Sequence, residues 1–191
     1  MNRRSVTAPA CFKTRSDGEE LIIEGYFAKF NTEAEGWPGY FERIDPHAFD
    51  DELGGDVRAL LDHQTHIVLG RTKAGTLILE VDDVGLKGRI TINPADREAL
   101  DAYERVKRGD VDQCSFGFDI ITEEYEERGD GTLHCTLKKV KLYEVSVCTF
   151  PFYPDTEIEA RKKDAENTKK RQLEHRRVAV KKRLEELTCL H

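Results

Sequence analysis

The feature that most limits the fold of this chain is a run of short apolar segments over residues 57–92. Leucine and β-branched residues recur in each segment, and turn-forming residues such as Gly75 separate them. The four segments are VRALLDH (57–63), HIVLGRT (66–72), TLILEVD (76–82) and LKGRITI (86–92). Strands of this length and spacing are typical of a β-meander or a β-barrel.

Three further segments have the composition of strands. ELIIEGYFAKF (20–30) is rich in Ile, Tyr and Phe, and QCSFGFDIIT (113–122) and LHCTLKKVKLYEVSVCT (133–149) follow later in the chain. The charged stretch 123–131 predicts a hairpin loop between the last two strands. Pro151 then ends the sheet region.

Helix signals are fewer. Asp45, as an N-cap before a proline, predicts a short helix over 45–53, and Asn93 in the same position predicts a helix over 94–108. Residues 157–190 are rich in Lys, Arg and Glu and contain neither Gly nor Pro, which predicts one long C-terminal helix.

Charge divides the chain into two parts. The 191 residues carry 30 Lys and Arg against 37 Asp and Glu, a net charge of −7. Residues 155–191 hold 11 basic and 8 acidic side chains, whereas residues 1–154 hold 19 and 29. The sequence therefore predicts an acidic domain over 1–154 and a charged helical tail over 155–191. An acidic domain argues against direct nucleic-acid binding.

Other features of the sequence bear on where the protein acts. No segment approaches 18 consecutive apolar residues, which argues against a transmembrane helix and a membrane partner. Residues 1–13 contain basic residues but lack the apolar core of a secretory signal. Five cysteines at irregular spacing, without such a signal, indicate reduced thiols in a cytosolic compartment.

Ser115 is a candidate nucleophile. In the segment CSFGF, Ser115 and Gly117 share one face of the predicted strand, and Phe116 and Phe118 share the other. A hydroxyl next to a residue without a side chain leaves room for a substrate carbonyl. A polar strand residue that faces water is the alternative interpretation.

His63 and Glu144 are candidate partners for a serine. His63 ends the segment VRALLDH on the face of its apolar residues, and neutral imidazole is the usual base for activating a serine. Glu144 lies in VKLYEVSVC among small apolar side chains, where a carboxylate is costly unless a cation or a donor accompanies it. A structural ion pair and an ordinary core histidine are the alternatives.

Sites for metals and nucleotides are not indicated. His63 and His66 have an HxxH spacing, but a strand would send them to opposite faces. Cys114, Cys135 and Cys148 are too dispersed for a zinc-finger pattern, and Cys114 is expected to be a core thiol. Neither GxGxxG nor GxxxxGK[ST] occurs, so no cofactor or metal is expected.

The order of these motifs is more specific than any one of them. LLDHQ is followed by LGRT, by VGLKGRI, by a helix that ends in RG, by CSFGF and by YEVSVCTFP. This order resembles the caudovirus prohead serine proteases, the head-maturation proteases of tailed phages. The upstream segments EGYFAKFNT and FERIDPHAFDD also resemble that family, and the resemblance covers roughly residues 20–154.

The resemblance implies a fold and a set of site residues. The family is similar to the herpesvirus assembly proteases, which implies an α+β fold: a mainly antiparallel, closed β-barrel with flanking helices, here with a long C-terminal helix. Ser115 matches the nucleophile and His63 the general base, and Glu144 matches the acidic residue of the E-V-S segment. The rivals for the third position are Asp62, Asp119 and His66, and backbone N–H groups and Arg71 are candidate oxyanion donors.

The resemblance also implies a function. The chain is expected to be a serine endopeptidase that acts inside the assembling prohead in the host cytoplasm. Its implied partners are the major capsid protein precursor, scaffold segments and further copies of the chain itself. The alternative is a non-catalytic scaffold or capsid-assembly module on the same fold.

Overall fold

The structure is a computed structural model that describes residues 8–9, 12–17, 20–30 and 32–150, together with Lys170, Glu174, Arg177 and Val178. Contacts within the chain divide it into a unit of residues 1–152 and a unit of residues 153–191. The four isolated residues of the second unit are helical. The division into a domain over 1–154 and a tail over 155–191 stays a prediction.

The described part of the first unit consists of eleven strands, one 3₁₀ turn (Thr72–Ala74) and one α-helix, α1 (Arg97–Arg108). The strands are β1 (Ala8–Pro9), β2 (Lys13–Asp17), β3 (Glu20–Lys29), β4 (Ala34–Trp37), β5 (Tyr40–Ile44), β6 (Arg58–Leu61), β7 (Gln64–Arg71), β8 (Leu77–Val81), β9 (Gly85–Ile92), β10 (Gln113–Glu127) and β11 (Leu133–Cys148).

Strand β11 is the central strand of a seven-stranded sheet. It pairs antiparallel with β10 along one edge. On its other edge, β5 pairs with residues 133–137 and β6 pairs with residues 144–147, both parallel to it. β1 then borders β10, β4 borders β5, and β7 borders β6.

Residues 45–57 connect β5 to β6 and cover the part of β11 between them. The Val140 N–H donates to the carbonyl of Ala48 at 3.2 Å, and the Leu142 N–H donates to the buried carboxylate of Glu52 at 2.9 Å. These bonds satisfy backbone donors that no strand pairs. The two parallel strands and their connection therefore hold both ends of β11 in a fixed register.

A second sheet of four antiparallel strands has the order β2-β3-β9-β8. Aromatic side chains link it to the first sheet: the ring of Phe49 lies 6.2 Å from Phe30, at the end of β3, and 5.6 Å from Phe116 on β10. Cys114 is fully buried and its thiol donates to the carbonyl of Tyr26 on β3, so the predicted core thiol is confirmed. Burial of each such apolar side chain contributes about 1.5–3 kcal/mol.

The prediction of a closed barrel with flanking helices is wrong. Within the described part of the first unit the strands form two separate sheets, and α1 is the one α-helix. Short, evenly spaced strands identify a β-rich chain, but the spacing does not fix which strands pair, and here β11 recruits two parallel partners. The helix predicted over 157–190 falls on positions that, apart from the four isolated residues, lie outside the described residues.

The helix predicted over 94–108 is confirmed with a later start. Asp96, rather than Asn93, is the N-cap, and its carboxylate accepts from the backbone N–H groups of Glu98 and Ala99. Gly109 ends the helix in a left-handed conformation, with φ 86°.

The short helix predicted over 45–53 is wrong, because residues 46–54 form turns. The carbonyl of Ala48 and the carboxylate of Glu52 both bond to β11, and these tertiary bonds replace the continuous bonding of a helix. No helix among the described residues is long and apolar enough to cross a membrane.

Candidate active site

The tight turn between β6 and β7 holds His63. Leu61 pairs directly with Gln64, so Asp62 and His63 are the two residues of the turn. Both have left-handed backbones, with φ 47° at Asp62 and 58° at His63. A hairpin turn of this kind normally uses Asn-Gly, because side chains disfavour positive φ. The strand predicted over 57–63 is therefore shorter, and His63 lies in a strained turn rather than on a strand face.

The end of β11 holds this turn in place. The Asp62 N–H donates to the carbonyl of Val147 at 2.9 Å, and the Thr149 N–H donates to the Asp62 carboxylate at 2.7 Å. The His63 N–H donates to the Ser146 hydroxyl at 3.2 Å. Three hydrogen bonds to the end of β11 and to the residue that follows it thus compensate for two unfavourable backbone conformations.

The His63 ring is bonded to a buried carboxylate. Nδ1 lies 2.7 Å from Oε1 of Glu144, and the His63 side chain is 22% exposed whereas the Glu144 side chain is 5% exposed. Because a carboxylate accepts, Nδ1 carries a hydrogen, and the neutral ring then has its basic lone pair on Nε2. The carboxylate fixes both the orientation and the tautomer of the ring.

Two neighbouring residues accommodate the buried carboxylate of Glu144. The Ser146 hydroxyl donates to Oε2 of Glu144 at 2.6 Å, which supplies the second oxygen with a partner. Gly117 lies directly opposite Glu144 in the β10–β11 ladder, and a Cβ atom at Gly117 would lie 2.4 Å from Oε1. The missing side chain at Gly117 is therefore the space that the carboxylate occupies.

Ser115 lies directly opposite Ser146 in the same ladder. Directly opposed residues point to the same face with Cβ atoms about 4.5–5.5 Å apart, so Ser115 lies on the face of Glu144, beside the residue that binds the His63 backbone. Ser115 is fully buried, and its Oγ makes no hydrogen bond to any residue that the structure describes.

The rival candidates for the third position have other partners or are exposed. The carboxylate of Asp62 is bonded to Thr149. Asp119 accepts from the hydroxyl of Tyr143 at 2.7 Å. His66 is exposed on β7. Glu144 is the one of the four candidates for which a bond to the His63 ring is observed.

Arg71, a candidate oxyanion donor, is bonded to a carboxylate. Its Nε and one terminal nitrogen lie 2.7 and 2.6 Å from the two oxygens of Asp56. The hydrogen bond from Arg71 is the main reason that the pKa of Asp56 falls to about 2, against a smaller opposing effect of burial. This bidentate ion pair lies at the open end of the β6–β7 hairpin, opposite the turn that holds His63.

The described residues include no group of three or more His, Cys, Asp or Glu side chains arranged to hold a metal ion. A carboxylate-oriented imidazole, with a buried serine on the sheet face that carries the carboxylate, is the kind of arrangement that serves nucleophilic catalysis.

Comparison with known proteins identifies the family. A family model described as caudovirus prohead serine protease matches residues 10–171, which is most of the chain. The chain belongs to this family.

A curated relative agrees with the family. The prohead protease of Enterobacteria phage HK97 is 29% identical over 155 residues, an alignment that covers 78% of this chain and 64% of the relative. The chain thus spans a little under two thirds of that relative's length. No solved structure matches the chain.

Sequence reasoning about this family member missed two positions that shape the site. Ser146 lies two residues after Glu144, and its bonds to Glu144 and to the backbone of His63 were not foreseen. Thr149 follows the strand and holds Asp62. The signal for Ser146 was its i+2 spacing from Glu144; no local signal marks Thr149, whose partner is distant in sequence.

Proposed function

We propose that the chain is a serine endopeptidase of phage prohead maturation, with Ser115 as nucleophile, His63 as general base and Glu144 as the carboxylate that orients His63. The observation that carries the proposal is the 2.7 Å bond between His63 and the buried Glu144, on the sheet face that also carries Ser115. Membership of the prohead serine protease family supports the same reaction.

The first half of the reaction forms an acyl-enzyme. Ser115 Oγ attacks the carbonyl carbon of the substrate peptide, and its proton passes to Nε2 of His63. The Glu144 carboxylate stabilises the imidazolium through the Nδ1–H. The tetrahedral intermediate then collapses, the C–N bond breaks, and Nε2 gives its proton to the leaving amine. The acyl group stays on Ser115 as an ester.

Water completes the cycle. His63 removes a proton from a water molecule, and the resulting nucleophile attacks the ester carbonyl. The C–O bond to Ser115 breaks, and Nε2 returns the proton to the Ser115 oxygen. No step requires a metal or an organic cofactor.

Two serines face each other across the ladder, and their bonding favours Ser115 as the nucleophile. The single hydroxyl hydrogen of Ser146 is donated to Glu144, and its oxygen accepts from His63, so that group is engaged in both directions. Ser115 Oγ has no such bond among the described residues. Because Ser115 is fully buried, the groups that cover it must move before a peptide carbonyl reaches its oxygen.

The substrates we propose are peptide segments of the capsid assembly. The relative's name is prohead protease, and on that basis we propose that the chain cleaves the major capsid protein precursor, scaffold segments and copies of itself, inside the prohead in the host cytoplasm. In this proposal residues 1–154 carry the peptidase and residues 155–191 form a separable charged segment.

Replacement of the nucleophile tests this function. Ser115→Ala is expected to abolish cleavage of the co-expressed capsid precursor, a loss on the order of 10⁶ in kcat for a triad nucleophile. Gel analysis of purified particles and mass spectrometry of the protease itself measure the cleavage. Thr122→Ala, an exposed hydroxyl loss on the same strand, is the control and should cleave as the wild type does.

Wild-type cleavage by Ser115→Ala would reject the assignment of the nucleophile. A folded wild-type chain that never cleaves the precursor or itself, and that a serine-directed phosphonylating reagent does not label, would instead support the non-catalytic assembly module.

A further inference from the structure

We propose that Ser146 is a positioning residue that locks the carboxylate of Glu144 and the backbone of His63 into one rigid unit. This inference rests on the proposed function, because it assigns Ser146 a task in orienting the proposed base.

The bonding of one oxygen atom carries the inference. Ser146 Oγ donates its hydrogen to Oε2 of Glu144 at 2.6 Å and accepts the N–H of His63 at 3.2 Å. Ser146 is fully buried, so water does not compete for either bond. The acid and the backbone of the base are therefore joined through a single hydroxyl group.

The carboxylate needs this second anchor. Rotation about the last side-chain torsion of a glutamate is broad, so one bond does not set the plane of its carboxylate. In this site Oε1 is bonded to His63 and Oε2 to Ser146, and the two bonds together set that plane. With the plane set, the direction of the lone pair that meets His63 Nδ1 is also set.

The backbone of His63 needs the same anchor. At φ 58° its conformation is unfavourable for a residue with a side chain, and the N–H bond to Ser146 helps to retain it. Loss of the hydroxyl therefore loosens the imidazole from two directions: through its backbone and through the carboxylate that orients its ring.

The expected effect of Ser146→Ala is a fall in kcat of about 10- to 100-fold, the size typical of losing a charge-assisted bond or an outer partner of a reacting group. KM should change little, because Ser146 contacts the catalytic groups rather than the peptide. Thr136→Val, which removes a hydroxyl from the same strand at its bond to Arg43, is the matched control and should keep the wild-type kcat.

A double-mutant cycle distinguishes positioning from a general structural role. In a Glu144→Ala background, Ser146→Ala should lower kcat by a smaller factor than in the wild type, because only the bond to the His63 backbone is then left to lose. Equal losses in both backgrounds would overturn the proposal. Ser146→Thr, which keeps the hydroxyl, should recover most of the activity lost in Ser146→Ala.

A spectroscopic readout covers the case in which a variant of the cycle fails to fold. The His63 Nδ1 proton, bonded to a carboxylate at 2.7 Å, should give a low-field proton NMR signal that Glu144→Gln removes. Ser146→Ala should shift or broaden that signal, whereas Thr136→Val should not. An unchanged signal in Ser146→Ala would also overturn the proposal.

Ser115→Ala, assayed in parallel, separates the two hypotheses. If Ser115→Ala is inactive and Ser146→Ala retains the wild-type kcat, the positioning role is wrong and the peptidase assignment stands. If Ser115→Ala is as active as the wild type, the peptidase assignment itself has failed.

Discussion

Two histidine–glutamate pairs occur in the described part of the chain, and they are built in opposite ways. Nδ1 of His63 lies 2.7 Å from Glu144, and Nδ1 of His134 lies 2.9 Å from Glu33. In the first pair the acid is buried, at 5% exposure, and the histidine is 22% exposed. In the second pair the histidine is buried, at 6%, and the acid is 29% exposed.

The two imidazole rings also differ in their surroundings. Nε2 of His134 lies 2.9 Å from the Thr132 hydroxyl, and the ring stacks on Phe41 at 4.9 Å, within a regular strand. His63 lies in a strained turn, and its ring is bonded to a glutamate on the sheet face that carries a serine and a glycine. The proposed function uses the first pair and not the second, so it distinguishes the two pairs by which partner is buried and by what lies around the ring.

The largest expected difference between the two pairs comes from replacing each histidine, in turn, with alanine. His63→Ala is expected to lower kcat by a factor on the order of 10⁶, as loss of a triad base does, and also to lower stability, because the buried carboxylate of Glu144 loses its partner at Oε1. His134→Ala should keep the wild-type kcat but lose about 1–3 kcal/mol of stability, because it removes a buried ring together with its hydrogen bonds to Glu33 and Thr132. Peptidase assays and urea denaturation of both variants measure the two effects.

A loss of activity in folded His134→Ala as deep as that of His63→Ala would break the comparison. It would mean that the second pair also takes part in the reaction.

A smaller effect is expected at the glycine that makes room for Glu144. Gly117→Ala places a Cβ atom where Oε1 now lies, 2.4 Å away, so the carboxylate must leave its bond to His63. Kcat should fall by about 10⁴, as it does when an orienting carboxylate is lost from a comparable triad. Gly129→Ala, where a Cβ atom meets nothing within 4 Å, is the control and should be fully active. Full activity in Gly117→Ala would show that Glu144 does not need its present position.

The smallest expected effect is the pH dependence of folding stability that comes from the pair of Glu33 and His134. Burial would raise the pKa of Glu33, but the hydrogen bond from His134 and the charges of His134 and Arg128 outweigh it and hold that pKa below its ordinary value. A lowered carboxyl pKa stabilises the fold above the pKa of the unfolded chain, and this stabilisation is lost as the pH falls through the folded value.

Glu33→Gln should therefore be less stable than the wild type near pH 6, and the difference should shrink as the pH falls toward 3. Thermal unfolding of both proteins across this range measures it, and Glu80→Gln, an exposed change on the other sheet, serves as control. A gap between wild type and Glu33→Gln that stays constant with pH would contradict the ion-pair role of Glu33.

Local sequence signals predicted the elements better than their arrangement. The strands at 20–30, 76–82 and 86–92 and the helix at 94–108 were found, because composition, turn residues and caps are local. The closed barrel was a wrong inference, since pairing depends on contacts far apart in sequence. The parallel pairing of β11 with β5 and β6 has no local signature.

In the site, too, the features set by local sequence were predicted, and the features set by distant contacts were not. The shared face of Ser115 and Gly117 followed from strand alternation, and their ladder partners Ser146 and Glu144 share the opposing strand with the same spacing. The left-handed turn at His63 did not follow, because an Asp-His pair is not a usual hairpin signal. The turn is stabilised from β11, 83 residues later in the chain, and short-range patterns carry no information about that contact.

Strand β11 supplies one member of each histidine–glutamate pair, Glu144 to the first and His134 to the second. It is also the last strand of the described sheets to be synthesised. A nascent chain on the ribosome already contains His63 and Ser115 while it still lacks the residues that orient the imidazole. Pairings over such sequence separations form slowly. Synthesis therefore sets a delay: the proposed proteolytic activity begins only after the last strand has been made and has inserted between its neighbours.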